Sequence, residues 1–251
     1  MILYIPFFKT IQYLQGLYGV DSLPKISIEI LEKNKWSSSI LSNENTKNQS
    51  YICTREEYLK KFTLSPDYFI DRGFSLDVLQ RFDVRMYPLH NRNFSNRCVC
   101  PTFDISGRQL LGVQGRAVNG QLPKWLNSDN FPVSTSLYGL WLSADFIRQR
   151  RHCILVESAG NLWRLWEAGI FNVCALYGGI FTPAKSLLLD RLGVMKLTLV
   201  MDNDPAGAEH AKIIVNKWSR VYNIQEMKLP VNVNDIAELS IEQIIKLELN
   251  K

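Results

Sequence analysis

The sequence predicts an α/β protein in which a parallel, Rossmann-like sheet with flanking helices follows a smaller mixed α+β subdomain. From residue 153 onward, short apolar runs alternate with longer helical segments in a β-α-β-α-β-α-β order, which is typical of parallel sheets. Residues 97–118 instead contain two apolar runs on either side of Asp104-Ile105-Ser106-Gly107, a pattern that predicts a hairpin.

The amino-terminal part predicts helices interrupted by a linker. Residues 1–36 mix apolar and polar side chains, as short helices do, and residues 37–50 are rich in Ser and Asn, as linkers are. Within 54–82, Thr54 and Ser75 each precede a helical segment as N-cap residues.

The parallel half divides into regular elements. Short apolar runs predict buried strands, and the longer segments between them predict helices. Two of these helices are expected to end at a glycine. The predicted strands are 153–156, 172–176, 197–201 and 224–229, and the predicted helices are 137–150, 162–168, 183–192 and 206–221.

Composition excludes several classes of protein. The 251 residues are 46% hydrophobic, which is enough to bury a core, and they carry a net charge of +5. No apolar run approaches the roughly 18 residues of a membrane span, and the start MILYIPFFK lacks the basic region of a signal peptide. The five cysteines show neither a CxxC pair nor zinc spacing, so we expect reduced cysteines, an intracellular protein and no zinc.

Acidic residues stand where strands of the parallel sheet end. Glu157 follows the first strand, and Asp202 and Asp204 follow the third. Because sites in parallel sheets form at the carboxyl ends of strands, these carboxylates predict a site for a hard cation such as Mg²⁺. The alternative is that the aspartates cap the next helix, which Pro205 would begin.

Residues 153–238 resemble the Toprim domain of DnaG-type primases, topoisomerases and some nucleases. The matching stretches are Ile154-Leu155-Val156-Glu157, Glu167-Ala168-Gly169-Ile170-Phe171-Asn172-Val173, Ala175-Leu176-Tyr177-Gly178-Gly179 and Asp202-Asn203-Asp204-Pro205-Ala206-Gly207. The resemblance implies that Glu157, Asp202 and Asp204 are the metal-binding and acid/base residues. It also implies a tight turn beside the site at Gly178 and Gly179.

The chain departs from the Toprim pattern at three positions. Ser158 replaces the usual glycine after the strand-end glutamate, and Asn161 replaces an acid four residues after it. Asn232 stands where a third acidic element is expected, with Asp235 the nearest carboxylate. We therefore expect Mg²⁺ or Mn²⁺ at Glu157, Asp202, Asp204 and Asp235, with a second cation weakly held.

The segment before the parallel half is basic. Residues 84–128 contain one acid, Asp104, against six basic residues interleaved with aromatic ones. The basic residues are Arg85, Arg92, Arg97, Arg108, Arg116 and Lys124. Arginine and lysine bind phosphates and aromatic rings stack on unpaired bases, although a solvated face over a core is the alternative.

The order of these residues resembles the amino-terminal half of the DnaG polymerase core. The resemblance rests on Tyr68-Phe69-Ile70-Asp71-Arg72-Gly73, Asp104-Ile105-Ser106-Gly107-Arg108, Gly115-Arg116, Pro123-Lys124-Trp125-Leu126-Asn127-Ser128 and Leu137-Tyr138-Gly139. It implies that Arg97, Arg116, Lys124 and Asn127 line the groove for template and nucleotides. A lysine expected before Leu-Tyr-Gly is missing from 131–136.

Together these resemblances imply a DNA-directed RNA primase of four segments. They are an extension of unknown role (1–57), the basic core subdomain (58–150), the Toprim domain (151–240) and a short helix or tail (241–251). Residues 1–50 contain no cysteine or histidine, so they cannot form the zinc ribbon of full-length primases.

Expected partners are single-stranded DNA, ribonucleoside triphosphates, and a replicative helicase or a separate zinc-binding template-recognition protein. We expect no membrane contact and a location in the bacterial cytoplasm, with a phage or plasmid as a compatible source. The alternative functions are a catalytically weakened nucleic-acid-binding subunit and a Toprim nuclease.

Overall fold

The computed structural model describes residues 52–63, 66–86 and 94–249. The predictions made for 1–36, for the linker 37–50 and for Arg92 lie outside the described residues. Within the described part of the chain, no helix is both long enough and apolar enough to cross a bilayer.

The first half is built around an antiparallel sheet. Its strands are β1 (Cys53–Thr54), β2 (Arg85–Met86), β3 (Arg97–Phe103), β4 (Gln109–Ala117) and β5 (Trp125–Asn127). They lie in the order β1-β4-β3-β2. Strand β5 pairs with residues 114–116 of β4, beyond the residues that pair with β1. Strands β3 and β4 form the predicted hairpin, whose turn is held by Asp104 Oδ1 accepting from the backbone N–H groups of Arg108 and Gln109 at 2.9 Å.

Three short helices precede or interrupt this sheet: α1 (Arg55–Lys61), α2 (Asp67–Ile70) and α3 (Leu76–Arg81). Thr54 begins α1 with a capping box that includes Glu57, and Ser75 begins α3 by accepting from the Val78 N–H. Both caps confirm the sequence prediction, because a side-chain oxygen satisfies an N–H that has no partner inside the helix.

The second half alternates helices and strands around a parallel sheet. In chain order it contains α4 (Leu140–Arg150), β6 (His152–Val156), α5 (Ala159–Glu167), β7 (Val173–Ala175), α6 (Pro183–Asp190), β8 (Lys196–Val200), α7 (Pro205–Trp218), β9 (Asn223–Glu226), a 3₁₀ helix (Ile236–Glu238) and α8 (Ile241–Lys246). The strand order is β7-β6-β8-β9 with every pairing parallel, as the alternation predicted.

Helix α5 begins earlier than the sequence predicted. Ser158 accepts from the Asn161 N–H and caps a helix that starts at Ala159 instead of residue 162. Ser158, which stands where the Toprim pattern has glycine, thus fixes the start of the helix. The earlier start places Asn161 in the first turn.

The two sheets share a continuous core. Buried side chains from the first half, such as Tyr58 and Phe82, belong to the same apolar cluster as Trp163 and Val156 from the second. Tyr138 joins the halves directly, since its backbone exchanges two hydrogen bonds with Ala175 of β7 at 3.0 and 3.1 Å. The opposite face of the parallel sheet packs a second cluster against α4, α6 and α7.

Candidate metal centre and nucleic-acid interface

Adjacent parallel strands bring Glu157 and Asp202 together. Val156 pairs with Val200 in the β6–β8 ladder, so the residues that follow both strands emerge at the same carboxyl edge. Glu157 is 9% exposed, and its Oε1 accepts from the Asp202 N–H at 3.3 Å. This edge, defined by Glu157, Asp202, Asp204 and Asp235, is called the acidic edge below.

The Asp202 carboxylate is strongly perturbed. Its pKa is raised to about 6, mainly by burial and next by the neighbouring charge of Glu157, while a hydrogen bond from Asn161 acts in the opposite direction. That bond joins Asn161 Nδ2 to Asp202 Oδ1 at 2.8 Å. A buried carboxylate beside a second one is costly unless a cation neutralises the pair.

Asp204 serves as a helix cap. Its Oδ1 accepts from the Gly207 N–H at 2.7 Å, and Pro205 is the first residue of α7. The capping alternative from the sequence is therefore correct for Asp204. It does not exclude metal binding, because a carboxylate has two oxygens and the cap uses one.

The loop after β9 is attached to the acidic edge through Asn203. The Asn203 N–H donates to the Asn234 carbonyl at 2.6 Å, and its Nδ2 donates to the Val233 carbonyl at 3.1 Å. Asp235 then caps the 3₁₀ helix, and burial raises its pKa. Asn232 is exposed in this loop. The loop thus presents Asp235 on the same side as Asp202.

A glycine loop lies against the acidic edge. Tyr177, Gly178 and Gly179 have φ angles of 60°, 101° and 86°, and the Gly178 N–H donates to the Glu157 carbonyl at 3.1 Å. A Cβ at Gly179 would lie 2.0 Å from Nδ1 of His210. Glycine is therefore required at the two positions for different reasons. Both positions have a left-handed backbone, but only Gly179 also makes room for the ring of His210.

Lys185 holds the ends of this loop. Its ammonium donates to the carbonyls of Leu176 and Ile180, both at 2.7 Å, and burial lowers its pKa to about 8. Tyr177 fixes the middle of the loop, because its hydroxyl lies 2.5 Å from Thr102 Oγ1 on β3. The loop is thereby tied to both sheets.

His210 and Lys185 are residues of the site that sequence reasoning missed. His210 lies on α7 beyond the acidic turn, and its Nδ1 is 3.4 Å from Glu157 Oε2. No motif marks either residue. Their only signals are a histidine within two helical turns of Asp204 and a lysine one turn into the helix that follows the glycine loop.

The acidic edge fits a divalent cation in its donor chemistry. Beside Glu157 and Asp202 lie two buried atoms, Asn161 Oδ1 and His210 Nδ1, that have no hydrogen-bond partner in the part of the chain that the structure describes. Carboxylate oxygens suit Mg²⁺ and Mn²⁺. Among the residues that the structure describes, no three His, Cys, Asp or Glu side chains form a ready ligand group. A cation bound through Oδ1 of Asp202 or Asp204 would displace the hydrogen bond that this oxygen now accepts, whereas Oδ2 of either residue is not used in these bonds.

Three of the four predicted nucleic-acid ligands lie on or beside β4 and β5. Arg116 pairs with Trp125 across the ladder, and Gln114 pairs with Asn127, so Arg116 and Asn127 share one face of the sheet. Arg116 lies over the rings of Tyr68 and Trp125, and its Nε donates to the Tyr68 hydroxyl oxygen at 3.0 Å. Lys124 and Asn127 are exposed.

Arg97 has a different environment. It is 2% exposed, its Nη1 donates to the Gly115 carbonyl at 3.1 Å, and its Nε is buried with no hydrogen-bond partner among the described residues. Burial also lowers its pKa. A phosphate would reach Arg97 only after the groups that cover it moved, so its assignment as a ligand stays a prediction.

Comparison with known sequences identifies relatives of both halves. The Toprim domain family matches residues 151–232. A DNA primase of Aquifex aeolicus is 34% identical over 192 residues, which cover 63% of this chain and 38% of that protein. A DNA primase of Staphylococcus aureus is 28% identical over 152 residues, which cover 57% of this chain and 24% of that protein. The chain thus spans well under half the length of these curated relatives.

Solved structures show the same architecture. The DnaG primase catalytic domain bound to ssDNA matches with a TM-score of 0.65 at 21% identity, over 76% of this chain and 75% of that one. The RNA polymerase domain of Mycobacterium tuberculosis primase DnaG matches with a TM-score of 0.64 at 16% identity, over 72% of this chain and 74% of that one. Residues 151–232 are therefore a Toprim domain, and the chain has the fold of a DnaG-type primase catalytic core.

Proposed function

We propose that this protein is a DNA-directed RNA primase that makes short primers on single-stranded DNA by metal-dependent nucleotidyl transfer. The observation that carries the proposal is the arrangement of Glu157 and Asp202 at one sheet edge, connected through Tyr177 to the sheet that bears Arg116. The primase relatives, and the DnaG domain solved with ssDNA, support the same substrate classes for this chain.

The residues divide the work by position. Arg116 and Asn127 on the β4–β5 face, with Lys124 just before β5, bind the template and the incoming nucleotide, and aromatic rings beside Arg116 allow stacking. Glu157 and Asp202, with Asp204 and Asp235, would hold Mg²⁺ or Mn²⁺. When bound, such a cation lowers the pKa of the attacking 3′-hydroxyl and neutralises the triphosphate. The glycine loop keeps backbone close to the reacting groups without a side chain in the way.

One observation favours a second candidate, a nucleic-acid-binding subunit without catalysis. One oxygen of Asp202 accepts a hydrogen bond from Asn161, one oxygen of Asp204 accepts from the Gly207 N–H, and Asn161 places an amide next to Asp202. A subunit of this kind would bind single-stranded DNA and incorporate no ribonucleotide. A Toprim nuclease, the third candidate, would shorten the DNA strand.

The test is ribonucleotide incorporation on single-stranded DNA with Mg²⁺ or Mn²⁺. Asp202→Asn should reduce primer synthesis by about 100-fold or more, since metal binding at a phosphoryl centre contributes several kcal/mol to the transition state. The unfolding temperature of the metal-free variant should stay the same or rise, because the change removes a buried charge next to Glu157.

The matched control is Asp145→Asn, a nearly isosteric change at a side chain that is 82% exposed on α4. It should leave primer yield unchanged. Wild-type synthesis by a folded Asp202→Asn protein would remove the assignment of the site. Binding without synthesis by the parent protein would favour the non-catalytic subunit, and strand cleavage would favour the nuclease.

A further inference from the structure

His210 places an imidazole nitrogen against the acidic edge. Its Nδ1 lies 3.4 Å from Glu157 Oε2, a contact whose geometry does not make a hydrogen bond. The ring is fixed in this position because it fills the space that the missing Cβ of Gly179 leaves open. The nitrogen is therefore buried, aimed at a carboxylate and without a hydrogen-bond partner among the described residues.

A second atom beside the same carboxylates also lacks a partner. Asn161 is 1% exposed, and while its Nδ2 donates to Asp202, its Oδ1 accepts no hydrogen bond within the described part of the chain. Buried polar atoms nearly always have a hydrogen-bond partner. Two atoms without one that flank the same pair of carboxylates therefore indicate a bound electron-pair acceptor such as a cation. Both atoms are lone-pair donors of the kind that metal ions accept.

The spacing of His210 and Glu157 suits two ligands of one ion. Donor atoms bound to a divalent cation at about 2.0–2.2 Å lie roughly 2.8–3.1 Å apart in octahedral geometry and roughly 3.3–3.6 Å apart in tetrahedral geometry. The observed 3.4 Å is within the tetrahedral range, and an octahedral ion would draw the two atoms closer together by about 0.3 Å. A cation bound by both atoms would give His210 Nδ1 the partner that it lacks among the described residues.

We propose that His210 Nδ1 is a ligand of the catalytic cation together with Glu157, and that this nitrogen makes the site prefer Mn²⁺ over Mg²⁺. Mg²⁺ requires oxygen ligands at near-ideal octahedral positions, whereas transition cations gain affinity from imidazole. The inference rests on the proposed function for the existence of the cation, and it adds the identity of a ligand and the selectivity that follows from it.

The test measures metal affinity without relying on catalysis. The full chain and His210→Ala are titrated with Mn²⁺, following free Mn²⁺ by electron paramagnetic resonance, and Mg²⁺ is measured by its competition with Mn²⁺. His210→Ala should weaken Mn²⁺ binding by about 10–100-fold, a loss comparable to that of other ligand-sphere changes. Mg²⁺ affinity should change by less than about threefold, because Mg²⁺ does not draw on the nitrogen.

Two further variants separate a ligand from a structural residue. His210→Asn puts an amide close to the Nδ1 position, so it should keep Mg²⁺ binding while losing the preference for Mn²⁺. Glu209→Gln, at an exposed neighbour on α7, should change neither affinity. The absorption spectrum of bound Co²⁺ gives a direct check, since loss of a nitrogen ligand should shift its visible bands in His210→Ala only.

Equal weakening of Mn²⁺ and Mg²⁺ in His210→Ala, or an unchanged ratio of the two affinities, would overturn the proposal. So would a parent protein that binds neither ion. A chain that binds Mn²⁺ through His210 but makes no primers would refute the proposed function and leave the ligand assignment intact. Primer synthesis with no preference between the ions and no effect of His210→Ala would refute the ligand assignment alone.

Discussion

His152 shows how a single buried side chain responds to the parallel sheet. It begins β6, is 6% exposed, and its Nε2 lies 2.9 Å from Thr198 Oγ1 on β8. Its pKa is lowered to about 4, mainly by burial and to a smaller extent by the nearby charges of Lys196 and Arg150. Nothing in the sequence pattern marks this histidine, because its position is set by the pairing of strands that are far apart in the chain.

This shift predicts a loss of stability in acid. The unfolded chain takes up the proton near the ordinary histidine pKa of 6.5, whereas the folded chain resists it until about pH 4. Stability is therefore complete above pH 6.5 and falls as the pH drops from 6.5 to 4. At pH 4.5 the loss from His152 should be about 2–3 kcal/mol relative to pH 7.

The measurement is urea unfolding of the parent and of His152→Gln at pH 7 and pH 4.5. Glutamine keeps a polar partner for Thr198 and does not titrate, so the variant should lose less stability in acid than the parent by about 2 kcal/mol. The difference between the two proteins isolates His152 from the carboxylates that titrate in the same range. Parallel losses in both proteins would contradict the assignment.

Among elements, the glycine loop between β7 and α6 shows what sequence could and could not supply. The Gly-Gly pair was recognisable as a tight turn next to the acids, and Gly178 and Gly179 both have positive φ. The reason for the second glycine was not visible, because it depends on His210 from a helix that begins 26 residues later. The contact between Gly179 and His210 depends on how this helix packs against the loop, which local sequence patterns do not show.

Alanine substitutions should separate the two glycines. No atom of the described residues lies within 4 Å of a Cβ at Gly178, so Gly178→Ala should cost only the strain of its backbone, about 1–2 kcal/mol of unfolding free energy. Gly179→Ala adds a clash with the His210 ring and should cost more, by about 1–3 kcal/mol.

Combining each change with His210→Ala provides the control. Removing the ring should recover the additional cost at Gly179 and none of the cost at Gly178, when the free energy of unfolding is measured for all five variants and the parent. Equal rescue at both positions would mean that His210 acts on the loop as a whole.

For the whole molecule, the sequence was sufficient for the architecture and for the position of the acids at strand ends, whereas their role as metal ligands stays a prediction. The β-α alternation predicted the parallel sheet, and the motifs located Glu157, Asp202 and Asp204, since short-range patterns determine both. The sequence did not predict the shared core, in which Tyr58 and Phe82 pack in one cluster with Trp163. It also did not predict the burial of Arg97, because charge alone does not tell which basic residues reach solvent.

The basic β4–β5 face leads to a prediction about binding of single-stranded DNA. Each phosphate contact contributes a slope of about −0.7 to the dependence of log affinity on log salt concentration. The double variant Arg116→Gln and Lys124→Gln should therefore flatten the slope by about 1.4, as measured by fluorescence anisotropy on a labelled oligonucleotide. Arg97→Gln, tested alone, should flatten the slope by about 0.7 only if this buried residue contacts a phosphate when DNA is bound.

The matched control removes the same net charge elsewhere. Lys60→Gln and Arg148→Gln neutralise exposed side chains on α1 and α4 that are paired with Glu56 and Asp145. If DNA lies along β4 and β5, this control should retain nearly the whole slope, because screening confines the effect of a distant charge to about 8–10 Å. Equal flattening by both double variants would show that binding depends on total charge. An unchanged slope in the Arg116 and Lys124 variant would mean that this face is solvated and binds no template.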